Sequence, residues 1–202
     1  MVEKVIVQDY KKSIRDSRYT VDQVSIIWDF YVTHSVAESA GQKRKPKDYG
    51  LSSFPIKDMK SIAGWDKKHC VVLLANSMKK TLEKLDFVFT EKINKTTIKK
   101  SVDICTPRIA CLTPFTVADD EPAKAKCGEA ESILTHIRNS FAHGNTYFFD
   151  NNMVLLEDKS KGIITAEILL SMKILLDWIK LIDKNEKFYA IHELKFNEKT
   201  GE

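Results

Sequence analysis

The stretch Ile133-Leu134-Thr135-His136-Ile137-Arg138-Asn139-Ser140-Phe141-Ala142-His143-Gly144-Asn145-Thr146-Tyr147-Phe148-Phe149 changes its hydrophobic period midway, and that change sets the reading of the chain. Ile133, Ile137 and Phe141 recur at four-residue steps with Leu134 beside them, which predicts a helix from about Gly128 to Ala142 with one apolar face. Gly144 suits the left-handed conformation that ends a helix. From Thr146 the period becomes two. Thr146 to Phe149 and Met153 to Leu156, joined by Asp150-Asn151-Asn152, predict a β-hairpin whose turn residues tolerate positive φ.

Working outward, the spacing predicts three more helices. One begins near Asp22, a suitable N-cap, carries Val24, Ile27, Trp28, Tyr31 and Val32, and stops at Gly41. A second runs from about Asp66 to Phe89 on Val71, Val72, Leu74, Ala75, Met78, Leu82 and Leu85. The last follows Lys159–Gly162, spans about Thr165 to Asp183 and presents Ile168, Leu169, Met172, Leu175, Leu176, Ile179 and Ile182. Residues 42–64 read as a long loop with a helical turn at 55–62, and the periodicity fades between Asn94 and Lys126. A polar tail over 185–202 is expected to add little. Four amphipathic stripes are most economically buried in a helical bundle. The expected fold is therefore mainly α, about four main helices with one small β-hairpin before the last, in a single domain over 1–202.

With 202 residues, 43% hydrophobic and 30% charged, the chain has the makings of one sizeable core. Seven glycines and five prolines argue against a loop-rich all-β design. No run of about 18 apolar residues is present, and the N-terminal apolar stretch carries charges, so a cytoplasmic protein without a membrane partner is expected. Cys70, Cys105, Cys111 and Cys127 lack zinc-site spacing and read as small buried hydrophobes. The net charge of +4 is compatible with a polyanion partner but too mild to demonstrate one.

Chemistry concentrates in the opening stretch. Only five of the 32 basic residues are arginines, so Arg138 beside a histidine motif looks chosen for geometry rather than charge. Histidine is the side chain whose ordinary pKa lies nearest neutral pH. On a regular helix Arg138 and His143 lie roughly 140° apart, whereas Asn139 and His143 share a face. RNA carries its own nucleophile, the 2′-hydroxyl. An imidazole to move protons and an arginine to steady the phosphate suffice to cleave it, and no metal or cofactor is called for. The bland alternative is that a last-turn histidine bonds a terminal carbonyl and the arginine pairs with an acid on a neighbouring helix.

Arg138-Asn139-Ser140-Phe141-Ala142-His143 resembles the signature of the HEPN superfamily, an arginine followed after four to six residues by a histidine, often with a polar residue after the arginine. The segment from Gly144 through Leu175-Leu176-Asp177-Trp178-Ile179 resembles a HEPN subfamily known from plasmid-encoded proteins, and the likeness is specific over about 125–183. The resemblance implies a HEPN-like helical bundle that forms a homodimer with two motifs facing one cleft. It also implies a metal-independent endoribonuclease leaving a 2′,3′-cyclic phosphate, in a defence or toxin–antitoxin setting with a cognate antitoxin. On that basis Arg138 and His143 carry over as catalytic and Asn139 as supporting. The alternative within the same family is a module that binds nucleotides or partners without cleaving.

Lys43, Arg44, Lys45 and Lys47 form a basic cluster able to grip RNA phosphates, although such runs are more often solvated surface. His136, seven residues before His143, reads as a half-buried structural histidine. Tyr147 and Phe148 are expected on the core face of the hairpin.

Overall fold

The computed structural model describes residues 10–37, 40–73, 78–87, 104–113 and 128–191. In chain order these form β1 (Tyr10–Lys11), α1 (Val21–Trp28), α2 (Ile56–Ile62), β2 (Cys70–Leu73), α3 (Met78–Lys84), β3 (Arg108–Leu112), α4 (Glu129–Ala142), β4 (Thr146–Phe149), β5 (Met153–Ser160), β6 (Ile163–Ser171) and α5 (Met172–Ile182). The strands make one mixed sheet in the order β1-β4-β5-β6-β3-β2. Only β2 and β3 run parallel. The fold is α/β, which corrects the mainly α bundle with one small hairpin expected from the sequence.

Two segments make the difference. Residues expected to continue a helix from Asp66 instead form β2, where Cys70 to Leu73 pair in register with Ile109 to Leu112 of β3. A short apolar run such as Cys70-Val71-Val72-Leu73 has no periodicity that separates a buried strand from a buried helix. Its partner β3 lies within the stretch where periodicity fades, because residues buried on both faces show no alternation. The other segment is 163–171. Lys161 (φ 51°) and Gly162 (φ 79°) both adopt positive φ between paired Ser160 and Ile163. A two-residue turn of that kind matches the twist of the flanking strands, so the chain turns back as β6. Helix α5 begins only at Met172, after Ser171. The hairpin expected after the motif helix is present as β4 and β5, and the turn expected at 55–62 is α2.

The first helix also starts elsewhere. Thr20, not Asp22, caps it, in a reciprocal capping box with Gln23, and the helix widens into a π-helical turn over Asp29–Thr33.

Both faces of the sheet are covered. On one, Ile109, Val154, Leu156, Ile168 and Leu170 pack with α1, α2, α4 and α5 in the larger core. Trp178 on α5 is fully buried there, its indole nitrogen donating to the Met59 carbonyl at 2.9 Å. Tyr189 and Ile191 join the same core, so the start of the expected polar tail is a packed segment; residues beyond 191 lie outside the described residues. On the other face Met78, Leu82 and Phe87 cover Ala110, Tyr147, Leu155 and Leu169. Tyr147 and Phe148 thus both fill cores, but opposite ones. Of the cysteines, Cys111 is buried, Cys70 half-buried and Cys105 exposed, the last against expectation; Cys127 lies outside the described residues. Among the described residues no helix is long and apolar enough to cross a membrane.

The second face carries buried polar groups too, Arg108 on β3 among them, 5% exposed and bonded to the Leu85 carbonyl. Glu157 on β5 and Glu167 on β6 are cross-strand partners, both 0% exposed, with Lys159 Nζ 2.6 Å from Glu157 Oε1. Burial, and then the adjacent Glu157 carboxyl, push Glu167 well above the ordinary carboxylate range. A raised folded-state pKa means that the stability tied to this group is complete at low pH and is lost as pH rises through the folded value. Glu167→Gln keeps the shape and removes that loss. The variant is expected to be more stable than the parent at pH 9, by about 1–4 kcal/mol, and to differ little at pH 4; urea unfolding at both pH values checks this.

Candidate active site at the end of the fourth helix

Helix α4 holds the motif because two rows of side chains face inward. Ile133, Ile137 and Phe141 form the apolar row, all buried, with Phe141 against Tyr31 at 6.2 Å between ring centroids. Beside it runs a polar row at four-residue steps, Ser132, His136 and Ser140, also buried. Ser132 Oγ donates to the Leu112 carbonyl at 2.7 Å, at the end of β3. Ser140 Oγ donates back to the His136 carbonyl at 2.8 Å. The polar row therefore costs no unpaired hydroxyl.

His136 is the hinge of this seam. Its Nδ1 lies 2.7 Å from Asp158 Oδ2 and its Nε2 lies 2.6 Å from the Leu112 carbonyl oxygen. Both ring nitrogens face oxygen acceptors. At 7% exposure it is a fully embedded structural residue rather than a half-buried one. Burial alone would raise Asp158, but the hydrogen bonds from His136 and Asn139 outweigh it and hold the carboxyl below the ordinary range.

Asp158 was missed in the sequence reading, though a signal for it exists. It continues the alternation of Val154 and Leu156 on the larger core face, so a carboxylate stands where the strand pattern calls for an apolar side chain. Its presence there implies a charged or hydrogen-bonding partner across the interface, and α4 supplies two.

Asn139 is the second partner. Its Nδ2 donates to Asp158 Oδ2 at 2.9 Å, while its Oδ1 accepts from Arg138 Nη1 at 3.1 Å. The half-buried Arg138 is thereby drawn around the helix toward the face that Asn139 shares with His143. On an ideal helix Arg138 and His143 lie roughly 140° apart, and Asn139, the partner of the guanidinium, stands between them around the axis.

His143 is exposed and ends the helix: it is the C-cap (φ −97°, ψ 2°), with its N–H on the Asn139 carbonyl at 2.9 Å. Gly144 follows at φ +68°, its N–H reaching the Phe141 carbonyl while the Asn145 N–H reaches the Ser140 carbonyl at 2.9 Å. These two bonds are a Schellman closure. The Asn145 carbonyl then accepts from the Glu157 N–H at 2.9 Å, tying the motif's end to β5. A Cβ added at Gly144 meets nothing within 4 Å, so substitution there is felt through the backbone alone. Gly144→Ala is expected to cost about 1–2 kcal/mol and Gly144→Asn less, as measured by thermal unfolding.

The basic cluster separates from this arrangement and also divides within itself. Lys45 and Lys47 are exposed around the short turn Pro46–Tyr49. Arg44 bonds Tyr189 Oη at 2.6 Å and lies 3.9 Å over the Phe188 ring. Among the described residues no group of three His, Cys, Asp or Glu side chains is arranged to hold a metal ion.

Comparison of the chain with protein-family models, with curated proteins and with solved structures finds no match.

Proposed function

We propose that the chain is a metal-independent endoribonuclease whose reacting groups are His143 and Arg138, positioned by Asn139. The observation that carries this reading is the bridge Arg138–Asn139–Asp158, which anchors the arginine to the side chain that shares a helix face with the exposed His143. Fixed donors aimed at a phosphate stabilise the charge that develops on its non-bridging oxygens, because they need not reorganise during the step.

In the proposed reaction a neutral imidazole takes the proton of the 2′-hydroxyl as that oxygen attacks the adjacent phosphorus. The bond from phosphorus to the 5′-oxygen breaks, and an imidazolium protonates the leaving oxygen. The products are a 2′,3′-cyclic phosphate and a free 5′-hydroxyl. The step uses two imidazoles in opposite protonation states. His136 does not serve as the second, since both its nitrogens are committed inside the protein. A second copy of the chain supplies it, which makes the site a dimeric cleft with one motif from each protomer. RNA digestion in EDTA, followed by assay of the 3′ ends for cyclic phosphate, tests the chemistry. Cleavage that leaves 3′-hydroxyl ends would overturn it. Full activity from a chain that sediments as a monomer at the assay concentration would remove the second motif.

A further inference from the structure

A second polar constellation lies at the far end of α1. Beyond Thr33 the helix ends on His34, whose Nδ1 lies 3.0 Å from both carboxylate oxygens of Asp29, with Nε2 2.8 Å from Gln42 Oε1. The loop carrying Gln42 is clamped to the helix end by its own N–H on the Thr33 carbonyl and by the Arg44 N–H on the His34 carbonyl, each at 3.2 Å. Tyr189 Oη donates to Asp29 Oδ2 at 2.9 Å and accepts from Arg44. The segment that brings Tyr189 is itself fixed by Asp183, 2% exposed, whose carboxylate accepts from the N–H groups of Lys187, Phe188 and Tyr189.

These tethers frame an open cleft of about 390 Å³. Its lining includes the cations Lys43, Arg44 and Lys187 against a single carboxylate, Asp48. Lys187 Nζ is held at the rim by the Asp48 carbonyl at 2.8 Å. The guanidinium presents five N–H donors in a rigid fork, more than Tyr189, Tyr49 and Asp29 take. A cleft of this size falls in the range of ligand sites, and apart from Phe188, on whose ring Arg44 lies, its walls are charged or hydrogen-bonding side chains. The run Lys43-Arg44-Lys45-Pro46-Lys47 by itself is an ordinary solvated charge cluster. The fold selects two of its four cations and adds a third from the opposite end of the chain.

We propose that this cleft binds a phosphate group, carried by a nucleotide or by a nucleic-acid strand. A phosphate is small, anionic and rich in acceptors, which matches three cations on a tethered frame. The site is separate from the motif on α4, and it stands whether or not the chain cleaves RNA.

The test uses the full chain in EDTA with three probes: inorganic phosphate, adenosine 5′-monophosphate, and a single-stranded oligodeoxyribonucleotide without terminal phosphates, which lacks the 2′-hydroxyl and is not cut by the proposed chemistry. Calorimetry is run on the native chain, on Lys43→Gln/Lys187→Gln and on His143→Ala. At least one probe is expected to bind the native chain and His143→Ala equally, and the double variant at least 10-fold more weakly. If the oligonucleotide is the ligand, losing two phosphate contacts lowers the salt slope of log K by about 1.4. If only the monophosphate binds, the cleft takes a terminal phosphate. Should the double variant fail to fold by circular dichroism, Lys43→Gln alone carries the test with an expected loss of about 3-fold or more. Binding of no probe, or equal binding by native and variant chains, overturns the proposal. Loss of RNA cleavage in His143→Ala bears only on the nuclease.

Discussion

His143→Ala is expected to lower RNA cleavage in EDTA by about 10²–10⁴-fold, the usual worth of a positioned proton-transfer group. Its folding free energy should change by no more than about 0.5 kcal/mol, because the imidazole is exposed and the helix end is closed by the backbone of Gly144 and Asn145. Arg138→Ala should cost about 10²–10³-fold through lost stabilisation of charge on the phosphate. Arg138→Lys should recover little, since an ammonium cannot both bond Asn139 Oδ1 and present a planar fork to the phosphate. Rates are compared by following 3′-cyclic-phosphate ends with native and variant chains purified side by side. Identical cleavage in all of them would assign the activity to a contaminant and leave the motif a binding feature.

Asp158→Ala is expected to have the largest effect on stability, about 3–5 kcal/mol, because it strands a buried imidazole and releases the Asn139 carboxamide. Asp158 and His136 are 5% and 7% exposed, so solvent screens little of their interaction. In a His136→Ala background the same substitution should cost distinctly less, and the difference in a double-mutant cycle measures the coupling. The pH dependence has a defined sign. The hydrogen bonds from His136 and Asn139 hold the Asp158 carboxyl below its ordinary range despite burial, so its contribution is present above that range and is lost as pH falls through the folded value. Native stability should therefore drop below about pH 4 more steeply than that of Asp158→Asn, as read by urea unfolding from pH 2 to 6. Parallel acid limbs would remove Asp158 from the account. Where Asp158→Asn remains folded, cleavage should still fall, because Asn139 then positions Arg138 without its anchor.

The motif helix and the hairpin behind it were legible because their periods are unambiguous: four-residue apolar steps through Phe141, alternation from Thr146, and a glycine between them where φ is +68°. The sheet was not legible, for a local reason in each case. Ile168-Leu169-Leu170 is buried on both faces and the half-buried Val71-Val72 is apolar on both sides, and such a stretch carries no phase from which to tell strand from helix. Lys161-Gly162 is a tight turn hidden by a lysine in a left-handed conformation, which side chains other than Gly, Asn and Asp rarely adopt. Packing of Tyr189 and Ile191 was hidden by the polar residues around them.

At the site the division is similar. Residue types and spacing alone determined that Arg138, Asn139 and His143 cluster at a helix end closed by Gly144. Only the tertiary structure decided how Arg138 and Asn139 are oriented, because the partner that anchors Asn139, Asp158, lies on a strand 19 residues away and contacts α4 through space. Helical periodicity fixes angles around one axis, whereas a hydrogen bond between helix and sheet depends on how the two pack. That packing is set by the apolar faces of both elements together, and no single stretch of the chain contains it.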